Sequence, residues 1–115
     1  MKSPEPQKSG PFFVDTSSGA LAALAAGVAH SLGHAGAVAA TASDTIRVPA
    51  EVTTVLAEIG AETPAVIRVA ELPEGASHLD PSRFSGALYE GDGELERLSV
   101  ARIARDRIER HLTRG

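Results

Sequence analysis

Hydrophobic residues along the chain form two kinds of pattern that follow each other in turn. Short runs of mostly apolar residues predict strands, and the first of them is continuously apolar, which suits a strand buried on both faces of a parallel sheet. These runs are residues 11–14, 37–42 and 65–72, with a short fourth candidate at 77–80. Apolar residues at helical spacing predict helices at about 18–32, 49–60 and 94–113. Strands that alternate with helices indicate an α/β fold with a parallel sheet and right-handed crossovers.

The first and last predicted helices differ sharply in character. The first has almost no charge and consists mainly of alanine and glycine around a leucine and valine stripe, so we expect both of its sides to be covered. In the last helix, one apolar stripe is formed by Leu98, Ala101, Ile108 and Leu112, with Arg105 among them, and is widened by Leu95, Val100 and Ile103. Its arginines are expected on a solvated face, partly paired with Asp106 and Glu109, or on a contact surface for an acidic partner.

Composition limits the class of protein. The chain has 115 residues, which suits a single domain over residues 11–115 after a polar, disordered tail at 1–10. It contains no cysteine, which excludes disulfides and thiolate chemistry and fits a cytoplasmic location. The net charge of −4 argues against nucleic-acid binding. The apolar run at 20–28 is too short to span a membrane, and no cofactor is predicted.

A candidate ligand-binding loop follows the first strand. It consists of Asp15, Thr16, Ser17, Ser18, Gly19 and Ala20. Ligands of parallel sheets bind at the carboxyl ends of strands, and the free amides of a helix N-terminus attract anions. The negative charge of Asp15 opposes a second anion, however, and Ser17 or Ser18 is also a candidate for a simple helix cap.

The order of these elements resembles the low-molecular-weight protein tyrosine phosphatases and the related arsenate reductases. That family has a cysteine after the first strand, and an arginine after five further residues. On residues 12–33 the cysteine position falls on Asp15 and the arginine position on Leu21. Further matches are Thr41-Ala42-Ser43 after the second strand, Glu58-Ile59-Gly60 after the second helix, Asp80-Pro81, and the final helix.

The resemblance implies a three-layer sandwich around a parallel sheet of about four strands, shortened between Gly60 and Asp80. It also implies that the family's own chemistry is lost. The thiolate nucleophile and the arginine that clamps the oxyanion are both absent at positions 15 and 21. Ser43 and His78 would lie near the former pocket.

Other chemistry at these positions has a plain structural alternative in each case. Asp80 matches the family's general acid, but Asp-Pro is also a common turn opener. Asp15 is a candidate carboxylate nucleophile without a nearby cation in sequence. His30 and His34 have a metal-ligand spacing, but Gly33 between them is expected to end the helix, so no metal site is predicted.

Three functional hypotheses follow from the sequence. The first is a non-catalytic phosphatase-fold protein that serves as an accessory, regulatory or ligand-binding protein for an unknown protein partner or small ligand. The second is an enzyme that uses Asp15 and Asp80 as a carboxylate acid and base. The third is a homo-oligomer, such as a homodimer, in which the alanine-rich first helix packs against a neighbouring copy.

Overall fold

Short strands alternate with three helices in the part of the chain that the structure describes. The computed structural model describes residues 12–15, 18–70, 77–78 and 93–113. The strands are β1 (Phe12–Asp15), β2 (Val38–Thr41), β3 (Val66–Arg68) and β4 (Ser77–His78). The helices are α1 (Ala20–Ser31), α2 (Ala50–Ala57) and α3 (Glu94–Thr113). The predicted α/β class and the order of the elements are confirmed, with shorter strands than the sequence indicates.

The three strand pairs that the structure describes are parallel. The order is β3-β2-β1, and the two-residue β4 pairs with the other side of β1. Asp15 is paired in register with Thr41, so these two residues lie side by side at the carboxyl ends of neighbouring strands. The helices that the contacts describe pack as one group, with α1 against β1 and β2, and with α2 and α3 against α1.

Helix α1 lies at the centre of the protein. Each residue from Ala20 to Ala29 is buried, as the lack of charge in this stretch predicts. Its small side chains allow the sheet on one side and two helices on the other to approach closely. Because α1 is enclosed by its own chain, the hypothesis that it packs against a neighbouring copy is wrong. None of the helices in the described ranges is both long and apolar enough to cross a membrane.

Two glycines of the α1 region are required by close contacts. Gly19 precedes the helix with a φ of 88°, in the left-handed region that favours glycine. A Cβ atom there would lie 2.7 Å from Cγ1 of Val66, so the start of α1 sits directly on β3. Gly27 faces α2, where a Cβ atom would lie 2.6 Å from Cδ1 of the fully buried Leu56.

Helix α3 uses less of its apolar surface for the core than the sequence predicts. Ala101, Ala104 and Ile108 are buried, and Leu98 and Leu112 are partly buried against the core. The sequence predicts that Leu95, Val100 and Ile103 widen this face. Val100 is partly buried against the core, but Leu95 and Ile103 are 79% and 50% exposed. The prediction is wrong for these two residues because, among the described elements, α1 and α2 pack against the other side of α3.

Ion pairs join α2 to α3. The carboxylate of Glu58, just after α2, accepts hydrogen bonds from Arg102 Nη2 at 2.6 Å and from Arg105 Nη1 at 2.7 Å. Arg105 also donates to the carbonyl of Val55 at 3.0 Å. The sequence predicts these arginines on a solvated face, paired in part with Asp106 and Glu109. Arg105 does contact Asp106. Most hydrogen bonds of Arg102 and Arg105, however, go to Glu58 and Val55 at the end of α2.

A second ion pair joins α2 and α3 near the start of each helix. Arg97 Nε donates to Glu51 Oε2 at 3.0 Å, and Glu51 is buried. This hydrogen bond lowers the pKa of Glu51. At Glu58, the hydrogen bonds from Arg102 and then Arg105 lower the pKa from 4.5 to about 2. The acids of α2 are therefore held in their ionised form by the arginines of α3.

Replacing Gly27 by alanine is expected to destabilise the protein, although alanine favours helix. The helix propensity gain is about 1 kcal/mol, and overpacking against Leu56 costs about 1–3 kcal/mol. We expect a net loss of about 1 kcal/mol in the free energy of unfolding, measured by urea titration. In a Leu56→Val background, which removes the contacting Cδ atoms, Gly27→Ala should become neutral or stabilising. An unchanged penalty in that background would contradict the contact.

The Glu58 cluster predicts an acid-dependent loss of stability. Because the pKa of Glu58 is lower in the folded protein than in the unfolded chain, the cluster stabilises the fold above about pH 4.5. This contribution should disappear as the pH falls from about 4.5 towards about 2. The difference in urea midpoint between the wild type and Glu58→Gln should therefore be full at neutral pH and shrink over this range.

Glu62→Gln is the matched control for this measurement. Glu62 is exposed and forms no salt bridge among the residues that the structure describes. The urea midpoint of Glu62→Gln should change with pH in the same way as that of the wild type. If Glu58→Gln also follows the wild type throughout, the ion cluster does not stabilise the fold.

Candidate functional site

The candidate site lies where β1 ends and α1 begins. Asp15 is the last residue of β1 and has no exposed surface. Its neighbour across the sheet, Thr41, is also fully buried. Both side chains lie on the sheet face that carries Phe13 and Ala39, which belong to the core cluster around α1. The sheet therefore directs the Asp15 carboxyl group towards the N-terminus of α1.

The Asp15 carboxyl group accepts hydrogen bonds from two backbone amides and one hydroxyl. Gly19 N donates to Oδ1 and Ala22 N donates to Oδ2, each at 2.9 Å. The Thr41 hydroxyl donates to Oδ1 at 2.8 Å. Amides in the first turn of a helix have no partner within the helix, and a negative group near them is stabilised by the helix dipole. Asp15 thus takes the position that an external anion would occupy at this helix terminus.

Thr41 connects this carboxyl group to the loop after β2. Its Oγ1 lies 3.2 Å from the carbonyl oxygen of Asp15 and accepts a hydrogen bond from Ser43 N at 3.2 Å. Ser43 is a predicted pocket residue, and its Oγ accepts from Thr45 N at 3.1 Å. The same loop is fixed at Arg47, whose N donates to the Ser18 carbonyl at 2.8 Å. Backbone and hydroxyl groups around Asp15 are thus used to hold the loop in place.

Leu21, at the position of the family's arginine, points into the protein. It is 3% exposed and belongs to the core cluster. The next position, Ala22, is fully buried and contributes its amide to Asp15. A side chain at position 21 is therefore used for packing, and the described residues place no guanidinium group there for an oxyanion.

The remaining predicted loop and pocket residues are described only in part. Ser18, Gly19 and Ala20 are buried. Thr16, Ser17 and Asp80 lie outside the described residues. The backbone of His78 pairs in register with Val14 in β1, which places this residue beside the site, while its side chain is outside the described part. The pairing of Asp15 with Asp80 therefore stays a prediction.

The two histidines with metal-ligand spacing serve the end of α1. A ring nitrogen of His30, Nε2, is 2.9 Å from the Ala37 carbonyl, so this side chain links the helix end to the segment that enters β2. The amide of His34 donates to Ala29 O, after the helix has ended. Among the described residues, no three His, Asp or Glu side chains are grouped in a way that could hold a metal ion.

An open depression that the sequence did not reveal lies beside this site. It has a volume of about 440 Å³ and is lined by Ala42, Asp44, Arg68, Val69 and Ala70, at the carboxyl ends of β2 and β3. Arg68 Nη1 donates to the Asp44 carbonyl at 3.3 Å, and the guanidinium group forms no salt bridge within the described ranges. In the sequence, the signal for this depression was Arg68, a charged residue within a predicted strand.

The geometry defines a parallel α/β protein whose helix terminus at the sheet edge is capped by a side chain of the same chain. Comparisons with models of protein families, with curated proteins and with solved structures found no match. Function is therefore inferred from the arrangement around Asp15.

Replacement of Asp15 by asparagine should test the cap. The amide group of asparagine has only one acceptor oxygen, so one buried donor loses its partner. We expect a loss of about 2–3 kcal/mol in the free energy of unfolding by urea titration. The exposed Asp44 is the matched control, and Asp44→Asn should change stability by less than about 0.5 kcal/mol. Equal stability of the two variants would contradict a structural role of the Asp15 carboxyl group.

Proposed function

We propose that the chain is a non-catalytic domain of phosphatase-like, three-layer fold that acts as an accessory, regulatory or ligand-binding protein. The observation that carries the proposal is the binding of the α1 amides by the Asp15 carboxyl group. In the family that the sequence resembles, this position belongs to the cysteine nucleophile, and the amides around it serve the substrate oxyanion. Here one side chain takes the place of the nucleophile and uses the amides.

Electrostatics supports the loss of phosphate chemistry. A second anion placed about 4 Å from the Asp15 carboxylate would meet a repulsion of roughly 4 kcal/mol at an effective dielectric constant of about 20. In the family, an arginine would offset such a charge. Leu21 stands at that position and is buried in the core. Phosphate binding as in that family would therefore lack both the amide donors, which Asp15 uses, and the positive charge of the arginine.

Burial also weighs against Asp15 as a catalytic group. A nucleophile or general base has to come within hydrogen-bond reach of the substrate. Asp15 is 0% exposed, and both of its oxygens already accept hydrogen bonds from the protein. The hypothesis of an enzyme with Asp15 and Asp80 as paired carboxylates is therefore the weaker of the two.

A ligand or partner group is instead expected at the open depression next to the filled site. Arg68 offers a guanidinium group there, at the edge of the sheet where ligands of parallel α/β proteins bind. This location would suit an anionic small molecule or an acidic side chain of a protein partner.

Assays with p-nitrophenyl phosphate test the proposal. We expect no turnover above the buffer rate by the wild type, Asp15→Ala or Asp44→Ala at about pH 5–7, because no thiolate or oxyanion clamp is present. Folding of each variant is checked by circular dichroism. Robust turnover by the wild type that is abolished in folded Asp15→Ala and retained in Asp44→Ala would overturn the non-catalytic proposal.

A further inference from the structure

Strand β3 lies at the edge of the sheet in the part of the chain that the structure describes. It is the last strand in the order β3-β2-β1-β4, and its neighbour among the described strands is β2. An edge strand presents backbone N–H and C=O groups to which another strand can bind. The β3 edge therefore fits one kind of partner, which is an extended chain.

Backbone groups of alternate β3 residues point away from β2. Val69 N donates to Thr41 O at 2.9 Å, and Thr41 is paired in register with Arg68. In a parallel ladder, successive residues turn their backbone groups alternately to one side and to the other, so Ile67 and Val69 bond to β2. Val66 and Arg68 direct their N–H and C=O groups outwards, where these groups form no hydrogen bond among the described residues.

The side chain in the middle of this edge is apolar and exposed. Ile67 is 47% exposed, although it belongs to the sheet. It lies on the opposite face of β3 from Val66 and Arg68, because side chains alternate along a strand. The guanidinium group of Arg68 is directed towards the loop after β2, where it donates to the Asp44 carbonyl. The edge beside Ile67 is thus accessible to a second strand.

We propose that the β3 edge binds the β3 edge of a second copy of this chain, with the two strands antiparallel and the two-fold axis at Ile67. In this register Val66 of each copy lies opposite Arg68 of the other, and each such pair exchanges two hydrogen bonds. The two Ile67 residues form the pair without hydrogen bonds at the axis, in which the side chains are closest. The two sheets become one continuous sheet.

The sequence of β3 selects this register. Outward groups have to meet outward groups, so the axis moves by whole residues. An axis at Val66 would set Arg68 opposite Pro64, which has no N–H to donate. An axis at Arg68 would set the two arginines directly opposite each other, where like charges are destabilising. The axis at Ile67 avoids both and covers the exposed Ile67 of each copy.

A second copy suits this edge for a further reason. Two-fold pairing uses the β3 edges of both copies at once, so no unpaired β3 edge is left for further strands. It also places the end of β3, with Arg68, beside the beginning of the other β3, which Glu62 precedes. The two Glu62 residues are thereby kept at opposite ends of the contact.

The charge of Arg68 is the main opposing factor. The Arg68 residues of the two copies are diagonal neighbours on one face, with Cβ atoms about 7–8 Å apart. Each guanidinium group is held at the Asp44 carbonyl of its own chain, and the exposed carboxyl group of Asp44 lies on the same residue. Water screens exposed charges at such distances, so the repulsion weakens the contact without preventing it.

The interface is expected to be weak. A pair of three-residue strands buries less area than a standard stable interface. A dissociation constant on the order of 100 μM would be consistent with this. The contact uses the backbone of Arg68 and leaves its guanidinium group at the open depression, so the proposal does not rest on the proposed function.

Two substitutions at one position test the backbone contact in the full-length protein. Sedimentation equilibrium from about 5 μM to about 1 mM should show a monomer–dimer equilibrium for the wild type. Arg68→Pro removes an N–H that points away from β2, so the fold should be kept while dimerisation weakens at least about tenfold. Arg68→Ala keeps this N–H and removes the like charges, so it should dimerise at least as tightly as the wild type.

A substitution at the axis tests the same contact without changing the backbone. Ile67→Glu places two carboxylates together at the axis, so it should abolish the dimer. Ile103→Glu is the matched control, because Ile103 is 50% exposed on α3, which packs against α1 and α2. This control should leave the dissociation constant unchanged. Because both isoleucines are exposed in the single chain, both variants should keep the wild-type circular dichroism spectrum.

Three results would overturn the proposal. The first is a wild type that stays monomeric up to about 1 mM. The second is a dimer that folded Arg68→Pro and Arg68→Ala weaken to the same extent, since the outward N–H would then not matter. The third is a dimer that persists in Ile67→Glu.

Discussion

The hydrogen bonds of the Asp15 carboxyl group join three elements at one point. They reach the first turn of α1 through Gly19 and Ala22, and β2 through Thr41, while Asp15 itself ends β1. Helix α1 needs this contact because its start is buried and its first turn contains no acidic residue of its own. Amides buried without acceptors would each cost about 1–3 kcal/mol. The central helix therefore depends on a side chain that the preceding strand supplies.

The same contact limits what the sheet edge is able to do. A helix terminus that binds a substrate anion has to keep its amides available to solvent. Here these amides serve the fold, and the hydroxyl of Thr41 and the packing of Leu21 reinforce that use. Stability and anion binding compete for one set of donors, and in this chain the donors serve stability. Among the described residues, the surface next to Arg68 is an open part of this edge.

Sequence patterns predicted the elements better than the contacts between them. Apolar periodicity is local, so α1, α2 and the order of helices and strands along the chain were predicted, and the burial of α1 followed from its lack of charge. The role of Asp15 was missed because its partners Ala22 and Thr41 lie 7 and 26 positions away, and only folding brings them together. The exposed side of α3 was missed for a similar reason, since bonds to Glu58 over 44 positions help to fix its rotation.

Helix α3 shows how one periodic sequence acquires two different faces. Both sides of the helix carry arginines and apolar residues, so composition alone does not distinguish them. The inner side is defined by acids that the α2 region supplies, and these acids neutralise its arginines within the chain. On the outer side, Arg107 and Arg110 form no salt bridge among the described residues, and the same side carries Glu96 and the exposed Leu95 and Ile103. Exposed charge and apolar side chains of the described residues are therefore found both on this outer side and near the sheet edge, where Arg68, Ile46 and Ile67 are exposed.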